Sequence, residues 1–308
     1  MSATVVDHRD AEHRAADSRT AARGTATGSG LTFGGVLRSE WIKLRTLRST
    51  FWSYVLIVLL TIGLALLIAA AQRAPGTAPG TPPGAAAATL TAAAQQARWI
   101  TDATLGINFA QLVVAVLGAL VITGEYSTGM IRSSFAAVPA RLPVIFAKAL
   151  VFGVSSFIVS LFSLVVAALV IVPVLQGHSI HPDLGDGAAW LALVGGAGYL
   201  ALVGVIAMGI GLLVRSSAAG IASAVGLLLI VPIVLRIVGG VTSALWPGNV
   251  SSFLPSEAGG RLFAYPITEP AAASGVVVLD TWQSLAVLVA WAVVVVGIGC
   301  VLVKRRDA

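Results

Sequence analysis

Charge is scarce in this sequence. Of 308 residues, only 10% are Asp, Glu, Lys or Arg, against about 25% in a soluble domain. That shortage, with 57% hydrophobic residues and a mean hydropathy of +0.94, excludes a soluble globular protein and leaves a polytopic membrane protein. Lysine is rarer still: Lys43, Lys148 and Lys304 are the whole set, and none follows a glycine. A phosphate-cradling P-loop needs a Gly-Lys pair, so the chain cannot itself hold ATP in that way. The one cysteine, Cys300, excludes an intrachain disulfide; inside an apolar run it reads as a small apolar filler, with palmitoylation as the alternative. No His-Glu-x-x-His and no Gly-x-Ser-x-Gly occurs, so the zinc-protease and serine-hydrolase chemistries that use them have no footing.

What is present is long apolar runs. Six of them, near 52–71, 103–123, 149–175, 190–214, 218–238 and 283–303, have the 17–25 residues needed to cross a hydrocarbon core. The expected fold is all-α with six transmembrane helices in a domain over residues 35–308. The first run is preceded by about 50 mostly polar residues, too many for a cleavable signal peptide. Arg38, Lys43, Arg45, Arg48, Arg132, Arg141, Lys148, Arg215 and Lys304–Arg306 fall on one side of the runs, and only Arg73, Arg98, Arg236 and Arg261 on the other. The positive-inside rule then places both termini in the cytoplasm of a multi-pass cell-membrane protein. The net charge of +6 reflects this flanking bias; no single basic patch suggests nucleic acid. The runs hold almost no ionisable residue, and ion-coupled transporters need such residues at mid-membrane. Any transport would draw its energy from elsewhere.

Outside the runs, residues 1–34 alternate acidic and basic residues with few large apolar ones and read as a disordered cytoplasmic tail. Residues 74–84 form a Pro/Gly linker, and the alanine-rich stretch after it extends the second span outward. The 239–281 connection, half apolar and broken by Pro and Gly, suits short helices at the outer interface, anchored by Trp246, Phe253 and Tyr265.

Three constellations could carry function. In the first, Phe33, Leu37, Trp41, Leu44, Leu47 and Phe51 recur at helical spacing opposite a basic face. That is an N-terminal amphipathic interfacial helix: a membrane anchor, or an anchor that also offers Glu40, Trp41, Lys43, Arg45 and Arg48 to a cytoplasmic partner and to membrane lipid. The second runs Gly124-Glu125-Tyr126-Ser127-Thr128-Gly129-Met130-Ile131-Arg132. Thr123-Gly124 can break the span, and Glu125 favours the N-terminus of a new helix. Residues 125–135 then form a short helix on the membrane surface, with Glu125 and Arg132 on one face; a border ion pair that only fixes topology is the alternative. The third is His178 and His181 with Asp183 and Asp186, a conceivable metal loop weakened by Pro182 and Gly185.

The run Ser39-Glu40-Trp41-Ile42-Lys43-Leu44-Arg45-Thr46-Leu47-Arg48-Ser49-Thr50-Phe51-Trp52 resembles the N-terminal signature of ABC-transporter permeases of the type-2 exporter superfamily, particularly actinobacterial ones. Residues 111–148, with the Gly124–Arg132 motif, resemble that family's second cytoplasmic signature; Met130 stands where a small polar residue, usually Thr, is expected. Leu254-Pro255-Ser256-Glu257-Ala258-Gly259 resembles its outer loop before the last span. The resemblance covers about residues 36–303. It implies a permease that pairs with a second permease subunit and docks a separate ABC ATPase, which carries the ATP and magnesium, while the permease itself has no cofactor and no catalytic residue. It further implies that Glu40, Trp41, Lys43, Arg45 and Arg48, with Glu125, Tyr126, Gly129 and Arg132 on a coupling helix, transmit the ATPase's motion. Glu125 would pair with Lys or Arg of the N-terminal helix. The substrate expected is amphipathic or hydrophobic. A membrane-anchored regulator or scaffold, and an intramembrane enzyme, are the competing readings.

Overall fold

The computed structural model describes residues 32–71, 90–130, 141–267, 275 and 277–305. The tail through residue 31, the linker at 74–84 and residues 131–135 of the expected surface helix lie outside the described residues. Every described element is helical: α1 (Phe33–Thr46), α2 (Arg48–Ala71), α3 (Ala92–Thr104), α4 (Ile107–Ser127), α5 (Arg141–Val170), α6 (Val172–Gly177), α7 (Gly187–Val214), α8 (Ser217–Val225), a π-helical turn (Gly226–Ile230), α9 (Val231–Thr242), α10 (Trp246–Ser251), α11 (Pro255–Leu262) and α12 (Thr281–Arg305). Six helical segments are long and apolar enough to cross a membrane: 48–71, 92–127, 142–177, 187–214, 217–242 and 281–305. Each contains the apolar run expected of it, and each is longer.

The excess length has local causes. Span two is α3 and α4 joined at Leu105-Gly106, where the backbone of α2 presses in: a Cβ on Gly106 would lie 2.5 Å from Thr61 Cα. Only a residue without a side chain can pass there. The alanine-rich α3 continues the span, as its propensity suggested. Span three is α5 and α6, interrupted before Pro173. The Trp99 indole N–H of α3 donates to the Ala168 carbonyl just below that interruption (2.8 Å), and Trp99 meets Trp190 edge-on at 6.2 Å. Span five is α8, the π-helical turn and α9. Pro232 lacks the N–H that would bond Leu228 four residues back, and the chain widens: Val231 N–H reaches five residues back, to the Gly226 carbonyl.

α7 is the axle of the bundle. It packs on α4, α5 and α12 and also touches α3, α8 and α11, and it is the most buried span. Small residues let its neighbours approach. A Cβ on Gly118 of α4 would fall 2.3 Å from the Gly204 carbonyl oxygen of α7, so these helices meet backbone to backbone. Tyr199 of α7 is fully buried, donates its hydroxyl to Gln111 Oε1 of α4, and lies against Gly259 of α11. The 239–281 connection therefore does more than lie on a surface: α11 tucks into the bundle against α7 and α12. Arg236 of α9 reaches Glu257 of α11 (2.6 Å), an exposed pair worth under about 1 kcal/mol. Cys300 is buried beside Leu212, Val296 and Val303, as an apolar filler would be.

Gly118→Ala drives a methyl into rigid backbone and should cost about 1–3 kcal/mol. Gly297→Ala, where a Cβ meets nothing within 4 Å, should be neutral or slightly stabilising. Thermal unfolding of the two variants in detergent distinguishes the sites.

Candidate functional site

At the end of the bundle where α1 sits, three helices bring four ionisable side chains together. α1 begins after Thr32, whose hydroxyl accepts from the Gly35 N–H (3.3 Å), a standard N-cap. It ends at Leu47, whose extended backbone (φ −75°, ψ 118°) turns the chain into α2. Its buried stripe is Val36, Glu40 and Leu44. Val36 packs with Val144 and Ala147 of α5. Glu40 is therefore carried into the protein, at 3% exposure, rather than lying on a solvated face.

Lys148, two turns into α5 and also buried, donates to Glu40 Oε2 and to Glu125 Oε1 of α4 (2.8 Å). Lys43 donates to Glu40 Oε1 (2.7 Å) and to Glu125 Oε1 (3.3 Å). Two carboxylates and two ammoniums alternate in a quartet with no net charge. Each ion stripped of water costs several kcal/mol, recovered only when partners and geometry are good. Alternation supplies the partners. Burial lowers the Lys43 pKa, but its contacts with Glu40 and Glu125 outweigh that and hold it above the usual 10.5. A raised pKa means that Lys43's contribution to stability is complete below the ordinary lysine value and is lost as pH rises through the higher folded one. At neutral pH the ion stays intact.

Glu125 does not start a new helix. α4 runs unbroken through Thr123-Gly124, with the Thr123 hydroxyl bonded back to the Ala119 carbonyl (2.8 Å). Glu125 thus lies in the last turn of the span, where the helix dipole disfavours a carboxylate; the two lysines overcome that penalty. The helix stops at Gly129, whose φ of +71° is the left-handed conformation glycine adopts after a helix end. Tyr126 lies under the Arg215 guanidinium, 5.2 Å from its carbon to the ring centroid. Arg215, at φ 56°, ends α7, and Ser217 shares a hydrogen bond with Thr123 (3.0 Å), so the α7–α8 turn is fastened to the end of α4.

The remaining expected site residues divide. Trp41, Arg45 and Arg48 are exposed and take no part in the quartet. With Arg38 and Ile42, Trp41 and Arg45 form the face of α1 turned away from the bundle. Arg132, the last residue of the second motif, lies outside the described residues. Lys148 was missed as a site residue, although a signal existed. It is one of three lysines, it opens an apolar run, and Glu40 and Glu125 are the nearest acidic residues along the chain on that side of the membrane.

At the opposite end, the His178–Asp186 loop has a structural use. The Gln96 side chain donates to the Asp183 carbonyl (2.8 Å) and to Asp186 (3.1 Å) and accepts from the Asp183 N–H (3.0 Å). Asp186 caps α7 through the Ala188 N–H (2.9 Å). The His181 N–H donates to Gln95 (2.7 Å). No group of three His, Cys, Asp or Glu gathers among the described residues. Hydrogen bonds from Tyr265 and the Ala188 N–H hold the Asp186 carboxyl below its usual range.

Six apolar helices long enough to cross a membrane, with a cluster of buried charges at one end, define a multi-pass membrane protein. The model of the ABC-2 family transporter protein matches residues 35–308, and the chain belongs to that family. It is a membrane permease of an ABC transporter, a transport subunit. Comparison with curated proteins finds no match.

Lys148→Met leaves two buried carboxylates facing one ammonium and should cost about 3–5 kcal/mol. Adding Glu125→Gln restores neutrality, so the double variant should melt above the Lys148→Met single. A separate titration tests the far end. A depressed carboxyl stabilises above its unfolded pKa, about 3.9, and that stabilisation is lost as pH falls through the folded value. The melting-temperature advantage of the wild type over Asp186→Asn should therefore be constant at neutral pH and shrink below about pH 4.

Proposed function

We propose that this chain is the membrane half of an ATP-driven exporter, with both termini in the cytoplasm, and that a separate ABC ATPase docks at the α1 end. One observation carries the reading: α1 is ionically locked to α4 and α5 through Glu40, Lys43, Glu125 and Lys148, while its opposite face offers Arg38, Trp41, Ile42 and Arg45 outward. A push on the outer face cannot be absorbed by α1 alone, because moving it without α4 and α5 would separate buried charges. ATP and magnesium belong to the partner, whose closure would drive the α1 surface together with the segment after Gly129 that contains Arg132.

A second permease subunit, identical or related, completes the path. α2 and the α8–α9 span are the least buried of the six and leave wide apolar faces for that subunit or for lipid. The substrate is an amphipathic or hydrophobic molecule, since the spans offer a hydrophilic ion almost nothing to bind.

Reconstitution in bilayers with the partner ATPase tests this. Substrate-stimulated ATP hydrolysis should fall about fivefold or more, the scale of a coupling energy near 1 kcal/mol, in Glu125→Ala and in Arg38→Glu/Arg45→Glu. The first should retain ATPase binding and the second lose it. Undiminished turnover and transport in a folded Glu125→Ala would defeat the coupling role. An ATPase that binds but is never stimulated would make the chain a scaffold.

A further inference from the structure

The last turn of α4 is held on two sides. Glu125 is bonded to Lys43 of α1 and to Lys148 of α5. The next residue, Tyr126, points roughly 100° around the helix from it. Its ring lies 5.2 Å from the Arg215 guanidinium carbon and packs on the cluster of Ile145, Met208 and Leu212. Arg215 stands between α7 and α8, at the point where span five begins. That span is the least buried of the six. Its first part, α8, packs on α4 and α7, whereas α9 packs on α10. The hold of span five on the other spans is therefore concentrated beside Arg215.

An arginine is a costly residue at that point. Its φ of 56° suits glycine, and a residue with a Cβ adopts it under strain; α4 ends on Gly129 in the same region. A charge that only marks the cytoplasmic side could stand at any unstrained position. What Arg215 adds is a flat cation laid on an aromatic ring. The other contacts across this corner grip less. Gly220 offers no side chain to interlock, and a Cβ there would lie in plain contact with Gly211 and Thr123, at 3.4 and 3.6 Å. Ser217 shares a single hydrogen bond with Thr123 (3.0 Å). We infer that Arg215 is a positioning residue for transport: through Tyr126 it ties the start of span five to the turn of α4 that carries Glu125. A displacement received by α1 then passes through the quartet to α4, and through the Arg215–Tyr126 stack to α8. This role rests on the reading that α1 receives the motion of an ATPase.

Distances between spin labels test it, measured by electron paramagnetic resonance on the complex with its ATPase in bilayer discs, nucleotide-free and ATP-bound. In a Cys300→Ala parent, labels at Gly34→Cys and Leu191→Cys follow α1, and labels at Ser223→Cys and Leu191→Cys follow span five; all three positions are exposed. ATP should change both distances in the parent. In Arg215→Gly, whose backbone suits the positive φ, and in Tyr126→Leu, the α1 change should persist and the span-five change should be lost. Tyr126→Phe keeps the ring and should keep both changes. A span-five change that survives in whichever of Arg215→Gly and Tyr126→Leu melts like the parent overturns the inference. So does its loss in Tyr126→Phe, or an α1 change without a span-five change in the parent. No ATP-driven change in either pair of the parent has a different meaning: it overturns the docking reading itself, and this inference with it.

Discussion

An ammonium ion cannot stay charged inside a helical bundle without carboxylates around it, and Lys148 is such an ion. That requirement brings α4 and α1 to α5, because the carboxylates that answer it come from Glu125 and Glu40 on those two helices. Once both are drawn in, two like charges would face each other across a single lysine, and Lys43 resolves the imbalance. The inward face of α1, the sharp joint at Leu47 and the toleration of a carboxylate at the wrong end of α4 all follow from meeting that demand.

The rest of the bundle is held by a different principle. Along α7 there is little charge to match, and cohesion comes from close approach: glycine against glycine between α4 and α7, and a tyrosine filling the hollow left by Gly259. The far end is closed by neutral and capping hydrogen bonds around Gln96 and Asp186. Among the described residues, buried charge couples the helices at the α1 end, while close packing holds α7 to its neighbours.

Much of this was legible from residues alone. Apolar runs gave six spans because burial in lipid demands them, and the amphipathic N-terminal helix was visible as a period. What escaped was three-dimensional. The apolar stripe with Trp41 and Leu37 reads as a membrane-interface face, and nothing in its period shows that Glu40 faces into the protein, where it meets a lysine on another helix. Thr123-Gly124 reads as a break, but a threonine bonded to its own helix keeps α4 continuous. Histidines and aspartates close together at His178–Asp186 left a metal conceivable but weakened by Pro182 and Gly185; in the structure Asp186 caps α7 and the Asp183 backbone holds Gln96. Family resemblance marked Glu125 as important, though neither resemblance nor periodicity disclosed that its partner includes Lys148.

The widened turn before Pro232 carries a consequence for anything that lies along the fifth span. An extra residue in one turn shifts the phase of the helix by about 100°, so the side chains above and below it do not form one straight ridge. The exposed residues of α8, such as Ala222 and Ser223, and those of α9, such as Ile233 and Ile237, belong to two offset strips. A neighbouring acyl chain or helix that follows this surface must step sideways at mid-depth, which makes the span a poor rail for a rigid straight helix and a natural place for a contact made of two half-height patches.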